Sequence, residues 1–246
     1  MKRLGGFSGI SSGLNAAYSK WVSSTYGFES IGKNLSIHYT SDLSRHTAHR
    51  MRIGDDVRID KGAWLYVVPP EGEYQEHEPA LIIGDRTLIA RHSQIGARKR
   101  VHIDSDVTLS VSVLIIDHLH AYEEITLPIN QQGLTDGGSI HIKQGCWIGH
   151  GAAIICDKGE LVLGRNCVVA ANAVVTKSFP SYSVIAGNPA RIVRQYDFEK
   201  SEWTLGATRT GVAEEERVVN ANSKPIDLKK KSQDDSLKES SGRCAE

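Results

Sequence analysis

Surplus charge is the first thing this sequence lacks. Lysine and arginine number 29, as do aspartate and glutamate. A balanced chain has no excess cation with which to neutralise a phosphate backbone or an anionic bilayer, so nucleic acid is not an expected partner. Long apolar runs are also missing. The opening "MKRLGGFSGISSGLNAAYSKW" is too polar for a signal-peptide core or a membrane span, which leaves a cytoplasmic protein as the expectation. Cysteine is scarce: Cys146, Cys156, Cys167 and Cys244 show no CxxC pair. They read as reduced packing residues rather than as a metal or redox motif. Finally, most of the chain carries neither the 3.6-residue period of a helix nor the alternation of a long strand.

What it carries instead is a period of six. In "IIGDRTLIARHSQIGARK", Ile83, Ile89 and Ile95 recur at six-residue intervals, each followed by Gly or Ala (Gly84, Ala90, Gly96). Thr87 and Ser93 stand two residues before the next anchor. The pattern returns at Ile103, Leu109 and Ile115, at Ile142, Ile148 and Ile154, and at Leu163, Val169 and Val175, with an earlier set at Ile53, Ile59 and Leu65. Six residues suit a short strand and a turn. Positions two apart on a strand face the same way, so the anchor and the small residue before it point inward. The Gly, Asp or Asn after the anchor suits the bend. Three units make an 18-residue triangular coil, and stacked coils bury an aliphatic column. This predicts an all-β parallel β-helix solenoid.

Ile31, Ile53, Ile83, Ile103, Ile142 and Leu163 begin successive coils, at intervals exceeding 18 by 4, 12, 2, 21 and 3 residues. Two insertions stand out, a proline-rich acidic one over Val67–Ala80 and the longest over Asp117–His141. Three regions follow: an N-terminal cap segment over 1–30, where "LNAAYSKWVSSTYGF" suits a short helix; the β-helix over 31–198; and an aperiodic, charged tail over 199–246, expected to be disordered.

"WIGHGAAI" (Trp147–Ile154), "VVAANAVVTKSFP" (Val168–Pro180) and "SVIAGNPARIVRQY" (Ser183–Tyr196), set in this hexad, resemble the hexapeptide-repeat β-helix acyltransferases. The likeness is to the maltose/galactoside O-acetyltransferase-like branch, which includes lipopolysaccharide and capsule O-acetyltransferases. It covers roughly Ile31–Tyr196. The resemblance implies a left-handed coil, a homotrimer with active sites between subunits, and acetyl-CoA as co-substrate with no metal required. Handedness comes from the resemblance alone, since crossovers usually turn the other way.

Acyl transfer to a hydroxyl needs a base that titrates near neutrality, and histidine is the natural one. "DHLH" follows Ile115, where the chain leaves the coil for its longest insertion. By resemblance His118 matches the catalytic histidine, His120 is the second choice, and Asp117 orients or tunes a ring. A zinc reading, as in the γ-type carbonic anhydrases that share this coil, could draw on His92, His118, His120, His141 and His150, but their spacing does not resemble that ligand pattern. For coenzyme A, the resemblance points to Trp147, Gly149, His150, Ala171, Thr176 and Lys177 along the thioester and pantetheine, and to Arg191 and Arg194 for the phosphates. Asn172 stands where many relatives have Gly. Thr108, Val113 and Cys146 read as packing. The basic runs Arg45–Arg52 and Ala97–Arg100 are solvated corners or a bias towards an anionic acceptor.

The reading is an acetyl-CoA-dependent O-acetyltransferase acting on a sugar hydroxyl of a glycan precursor. Its rivals are N-acetylation of an amino sugar or nucleotide-sugar, and a catalytically silent scaffold.

Overall fold

The computed structural model of the chain describes residues 7–69 and 78–206. Within them the chain winds into a left-handed parallel β-helix of three sheets, with six, nine and six strands. Sheet A stacks the strands that end on Ile31, Ile53, Ile83, Ile103, Ile142 and Leu163, in that register. These are the coil starts that the spacing indicates, including the one after the 39-residue interval. Sheet B carries Ile37, Ile59, Ile89, Leu109, Ile148 and Val169, and sheet C carries Leu43, Leu65, Ile95, Ile115, Ile154 and Val175. Apart from Ile31, which packs half-buried against the core, these anchors are buried. So are the residues two before them, apart from the half-buried Leu35, among them Val57, Thr87, Ser93, Val107, Val113, Cys146 and Cys167. Each buried aliphatic side chain contributes about 1.5–3 kcal/mol.

The corners differ from the expected bend. The left-handed residue is not the one after the anchor but the third: Asp56, Arg86, Asp106, Gly145 and Asn166 at one corner, Gly62, His92, Ser112, Gly151 and Asn172 at the next. Asn172 occupies this conformation at φ 57°, which a short polar side chain tolerates. Glycine directly after an anchor answers a different demand, close approach of the neighbouring coil. A Cβ on Gly149 would stand 2.7 Å from Ala171 N and Val169 O.

At the N-terminus a helix, Phe7–Thr25, lies against the first coil. Ser19 Oγ accepts the Ile37 N–H at 2.7 Å, and Asn15 Oδ1 accepts the Tyr39 N–H at 3.2 Å. Side chains of the helix thus satisfy backbone groups on the edge of sheet B that have no preceding coil to pair with. At the other end the boundary placed at 198 needs correction. Strand Arg191–Asp197 turns back antiparallel on Ser183–Ala186, and Glu202–Leu205 pairs antiparallel with it in turn, Trp203 meeting Tyr196. Sheet B therefore extends past that boundary to Leu205. A hairpin has no hexad, so the six-residue period could not reveal it. The middle of the acidic insertion and the tail beyond 206, with Cys244, lie outside the described residues.

Candidate active site

Strand Leu114–Ile116 of sheet C ends the fourth coil, and the longest insertion departs from it. The insertion leaves and returns through a narrow neck. Gly138 N–H donates to Asp117 O at 2.7 Å, Thr135 N–H to Leu119 O at 2.8 Å, and Ala121 N–H to Gly133 O at 3.2 Å. At the foot of this neck Asp117 and His118 are both buried, at 0% and 4% exposure.

Their geometry is specific. Asp117 Oδ1 accepts the Arg98 N–H at 2.7 Å, and Oδ2 accepts the N–H groups of Lys99 and Arg100 at 2.9 and 2.8 Å. These three amides belong to the corner one coil earlier, so the basic run Ala97–Arg100 contributes its backbone rather than its charges. His118 Nδ1 stands 2.8 Å from Asp117 Oδ1. A carboxylate offers only acceptors, so the proton of that contact belongs to the ring and Nε2 keeps its lone pair. Asp117 thus selects the tautomer and fixes the ring, as a carboxylate behind a catalytic imidazole must.

Tyr66 meets the His118 ring edge-on, centroids 6.0 Å apart, and stacks on Trp64 at 4.4 Å. It lies flat over Gly96, where a Cβ would run into its Cζ and Oη. Tyr66 and the Arg98–Arg100 amides were not legible as site components. The one local hint is Gly96 itself, placed where the neighbouring strand carries a tyrosine. His120, the second-choice base, is exposed and pairs in the neck with Leu134, away from the Asp117 carboxylate.

The residues assigned to coenzyme A are spread over sheet B, two corners and the hairpin, and two of them make a ridge on the corner between sheets B and C. His150 and Ala171 are exposed there in adjacent coils, with Asn172 N–H donating to His150 O at 2.8 Å. Trp147 is half exposed on sheet B, its Nε1–H donating to Ser110 Oγ at 2.9 Å. Thr176 and Lys177 are exposed past the following strand, Lys177 Nζ lying 5.7 Å from the centre of the Phe179 ring. Arg191 and Arg194 are exposed on the first strand of the hairpin. Three residues apart on a regular strand they would face opposite ways. A bulge corrects this: Ile185 pairs with Ile192 but Val184 with Arg194, so Val193 is the extra residue. Arg191 opposes Ala186 and Arg194 opposes Val184, two positions on one face.

Within one chain the His150–Ala171 ridge and His118 flank opposite edges of sheet C, with Thr176 and Lys177 on the His118 edge. Val111, the fourth-coil counterpart of His150, precedes His118 by seven residues, no more than about 25 Å of chain.

No model of a known protein family matches the chain. Among curated proteins it is similar to Rv3034c of Mycobacterium tuberculosis, named an acetyltransferase, with 28% identity over 195 residues that cover 78% of this chain and 59% of the relative. It is also similar to WbbJ of Escherichia coli, whose name places it in lipopolysaccharide biosynthesis as an O-acetyl transferase, with 26% identity over 50% of this chain and 64% of the relative. The matches thus span about three fifths of these relatives. Among solved structures it shares the fold of AntD, an N-acyltransferase from Bacillus cereus. A mutant of AntD in complex with dTDP and coenzyme A aligns at 20% identity with a TM-score of 0.59, over 74% of this chain and 91% of that one. A complex of AntD with dTDP and 3-hydroxybutyryl-CoA gives 19% identity and a TM-score of 0.55, over 80% and 93%. The repeat and the coil make this chain a hexapeptide-repeat β-helix protein, and it is similar to bacterial proteins named acetyltransferases.

Proposed function

We propose that the chain is an acetyl-CoA-dependent acyltransferase that acetylates a hydroxyl of a sugar or glycan precursor, with His118 as general base. The observation that carries this reading is the buried Asp117–His118 pair, held by three backbone N–H groups at the point where the longest insertion leaves the coil. Nε2 of His118 takes the proton from the acceptor hydroxyl as its oxygen attacks the thioester carbonyl. The carbon–sulfur bond breaks, and the same Nε2 returns the proton to the departing thiolate. Asp117 stabilises the imidazolium formed between the two transfers.

The ridge of His150 and Ala171, with Trp147 on sheet B and Arg191 and Arg194 on one face of the hairpin, supports binding of an extended, phosphate-bearing co-substrate. Because the ridge and His118 border opposite edges of sheet C, a site assembled between columns of a homotrimer brings the His118 edge of one chain against the ridge of another. The likeness to WbbJ, named an O-acetyl transferase, supports oxygen as the acceptor atom.

The test is release of free coenzyme A from acetyl-CoA against a panel of sugars and nucleotide-sugars, with sedimentation of the same sample. Turnover with hydroxyl acceptors at about three chain masses is the expected result. Turnover confined to amino sugars would move the chain to N-acetylation, and absence of coenzyme A binding would make it a silent scaffold. A monomer across a wide concentration range would remove the shared site.

A further inference from the structure

On the outer face of sheet A, outside the site just described, three side chains converge. His102 on strand Arg100–Ile103 and His141 on strand Ser139–Ile142 are direct partners in parallel register. Their rings stack with centroids 4.4 Å apart and planes 5° from parallel. Both Nε2 atoms face one oxygen, Asp104 Oδ1, His141 at 2.8 Å and His102 at 3.3 Å. The other carboxylate oxygen accepts the Gln144 N–H at 3.3 Å, which fixes the group from behind. Among the described residues no other trio of His, Cys, Asp or Glu brings its ligand atoms within 4.8 Å of one another.

Two imidazole nitrogens and one carboxylate oxygen, with water to complete the shell, form a ligand set for zinc, cobalt or nickel. They do not suit calcium or magnesium, which take mainly oxygen. In a tetrahedral zinc site neighbouring ligand atoms lie about 3.3 Å apart, close to the separations present. The side chains of all three residues are 29% exposed, so the two rings have room on the solvent side to turn out of their stack and aim both lone pairs at one ion. Each neutral ring would then carry its proton on Nδ1.

We propose that His102, Asp104 and His141 bind one divalent transition-metal ion per chain, as a clamp rather than a catalytic centre. The position gives the clamp its meaning. His102 precedes the longest insertion and His141 stands at its end, on the strand where the chain rejoins the column, so one ion ties the coil that the insertion leaves to the coil that it rejoins. Arg100, two residues before His102, supplies one of the amides that hold Asp117. The ion would thus stiffen the support of the His118 pair without touching it. This inference stands whether or not the chain proves to be an acyltransferase.

The test uses the full chain, stripped with a chelator and titrated with Zn²⁺ by calorimetry and with Co²⁺ by its visible absorption. One ion per chain is expected, together with a rise in melting temperature on adding Zn²⁺. Loss of an outer-shell partner typically weakens metal binding 10–100-fold, so His102→Gln or His141→Gln should weaken it by about a hundredfold or more and remove the thermal shift. Both variants should melt with the chelated wild type, because neither side chain lies in the column. His118→Ala should keep the stoichiometry. Wild-type protein that binds no more tightly than the His102→Gln/His141→Gln double variant would overturn the site. So would an ion lost in His118→Ala and retained in the double variant.

Discussion

Asp117→Asn is the substitution that most sharply separates a positioned base from a polar loop. Four donors converge on this carboxylate: the Arg98 N–H and the ring on Oδ1, the Lys99 and Arg100 N–H groups on Oδ2. An asparagine amide must choose. With its NH₂ in place of Oδ2, two backbone N–H groups lose their acceptor and the ring keeps its tautomer. With its NH₂ in place of Oδ1, only the Arg98 N–H is orphaned, because the ring can turn acceptor by carrying its proton on Nε2. The second arrangement is the less costly one, and it leaves His118 without a lone pair for the acceptor hydroxyl. Losing one charge-assisted bond at about 1.5–3 kcal/mol, and weakening two more to neutral strength, costs about 3–5 kcal/mol of stability. Turnover should fall by about two to four orders of magnitude, as much as in His118→Ala. His118→Ala itself should leave coenzyme A affinity nearly unchanged. The assay is kcat alongside denaturant unfolding and coenzyme A titration for both variants. An Asp117→Asn protein within about tenfold of wild-type kcat would refute the tautomer argument.

Three further outcomes are expected. Replacing Arg191 and Arg194 together by alanine should raise the KM for acetyl-CoA far more than that for the acceptor, with added salt weakening wild-type binding; an unchanged KM returns both to solvent. Cutting the chain after Glu199 should lower stability by about 1–3 kcal/mol, because it removes the strand that pairs with Arg191–Asp197 and the Trp203–Tyr196 contact, whereas a cut after Gly206 retains both. Hydrogen bonds from Arg86 and then Gln144 hold the Asp106 carboxyl down at about 2, below its ordinary 3.8. Its folded pKa is depressed, so this contribution is complete above about pH 4 and lost as pH falls towards 2; Asp106→Asn should flatten that part of an acid-unfolding curve, modestly and in a salt-sensitive way, since the pair is exposed.

Much of the column was legible because one physical requirement repeats. Each anchor must be aliphatic and each residue two before it small or apolar, so a period written in side chains maps directly onto register, even across the 39-residue interval from Ile103 to Ile142. The corners were less legible. Their geometry lies in backbone conformation three residues past the anchor, and Arg86, His92 and Ser112 adopt it without any residue type announcing it. The site divided in the same way. The sequence marks His118 by its place after Ile115, but the support of Asp117 comes from amides, which every residue carries. His102 and His141 are 39 residues apart in the chain, and only the parallel stacking of coils makes them neighbours.

A stack of equivalent coils has no natural length. Each new coil presents the same parallel edge that the last one did, so the geometry that builds the column would also let one molecule continue into another. The reversal after Ser183–Ala186 ends this on sheet B. An antiparallel strand and then a second one occupy the edge that an incoming coil would need, and a strand of opposite direction does not offer the parallel template. With the helix Phe7–Thr25 meeting the first edge, this sheet has both ends taken. The hairpin that carries Arg191 and Arg194 therefore closes the last edge of sheet B as the helix closes the first, and one molecule could continue into another on this sheet only if both were removed.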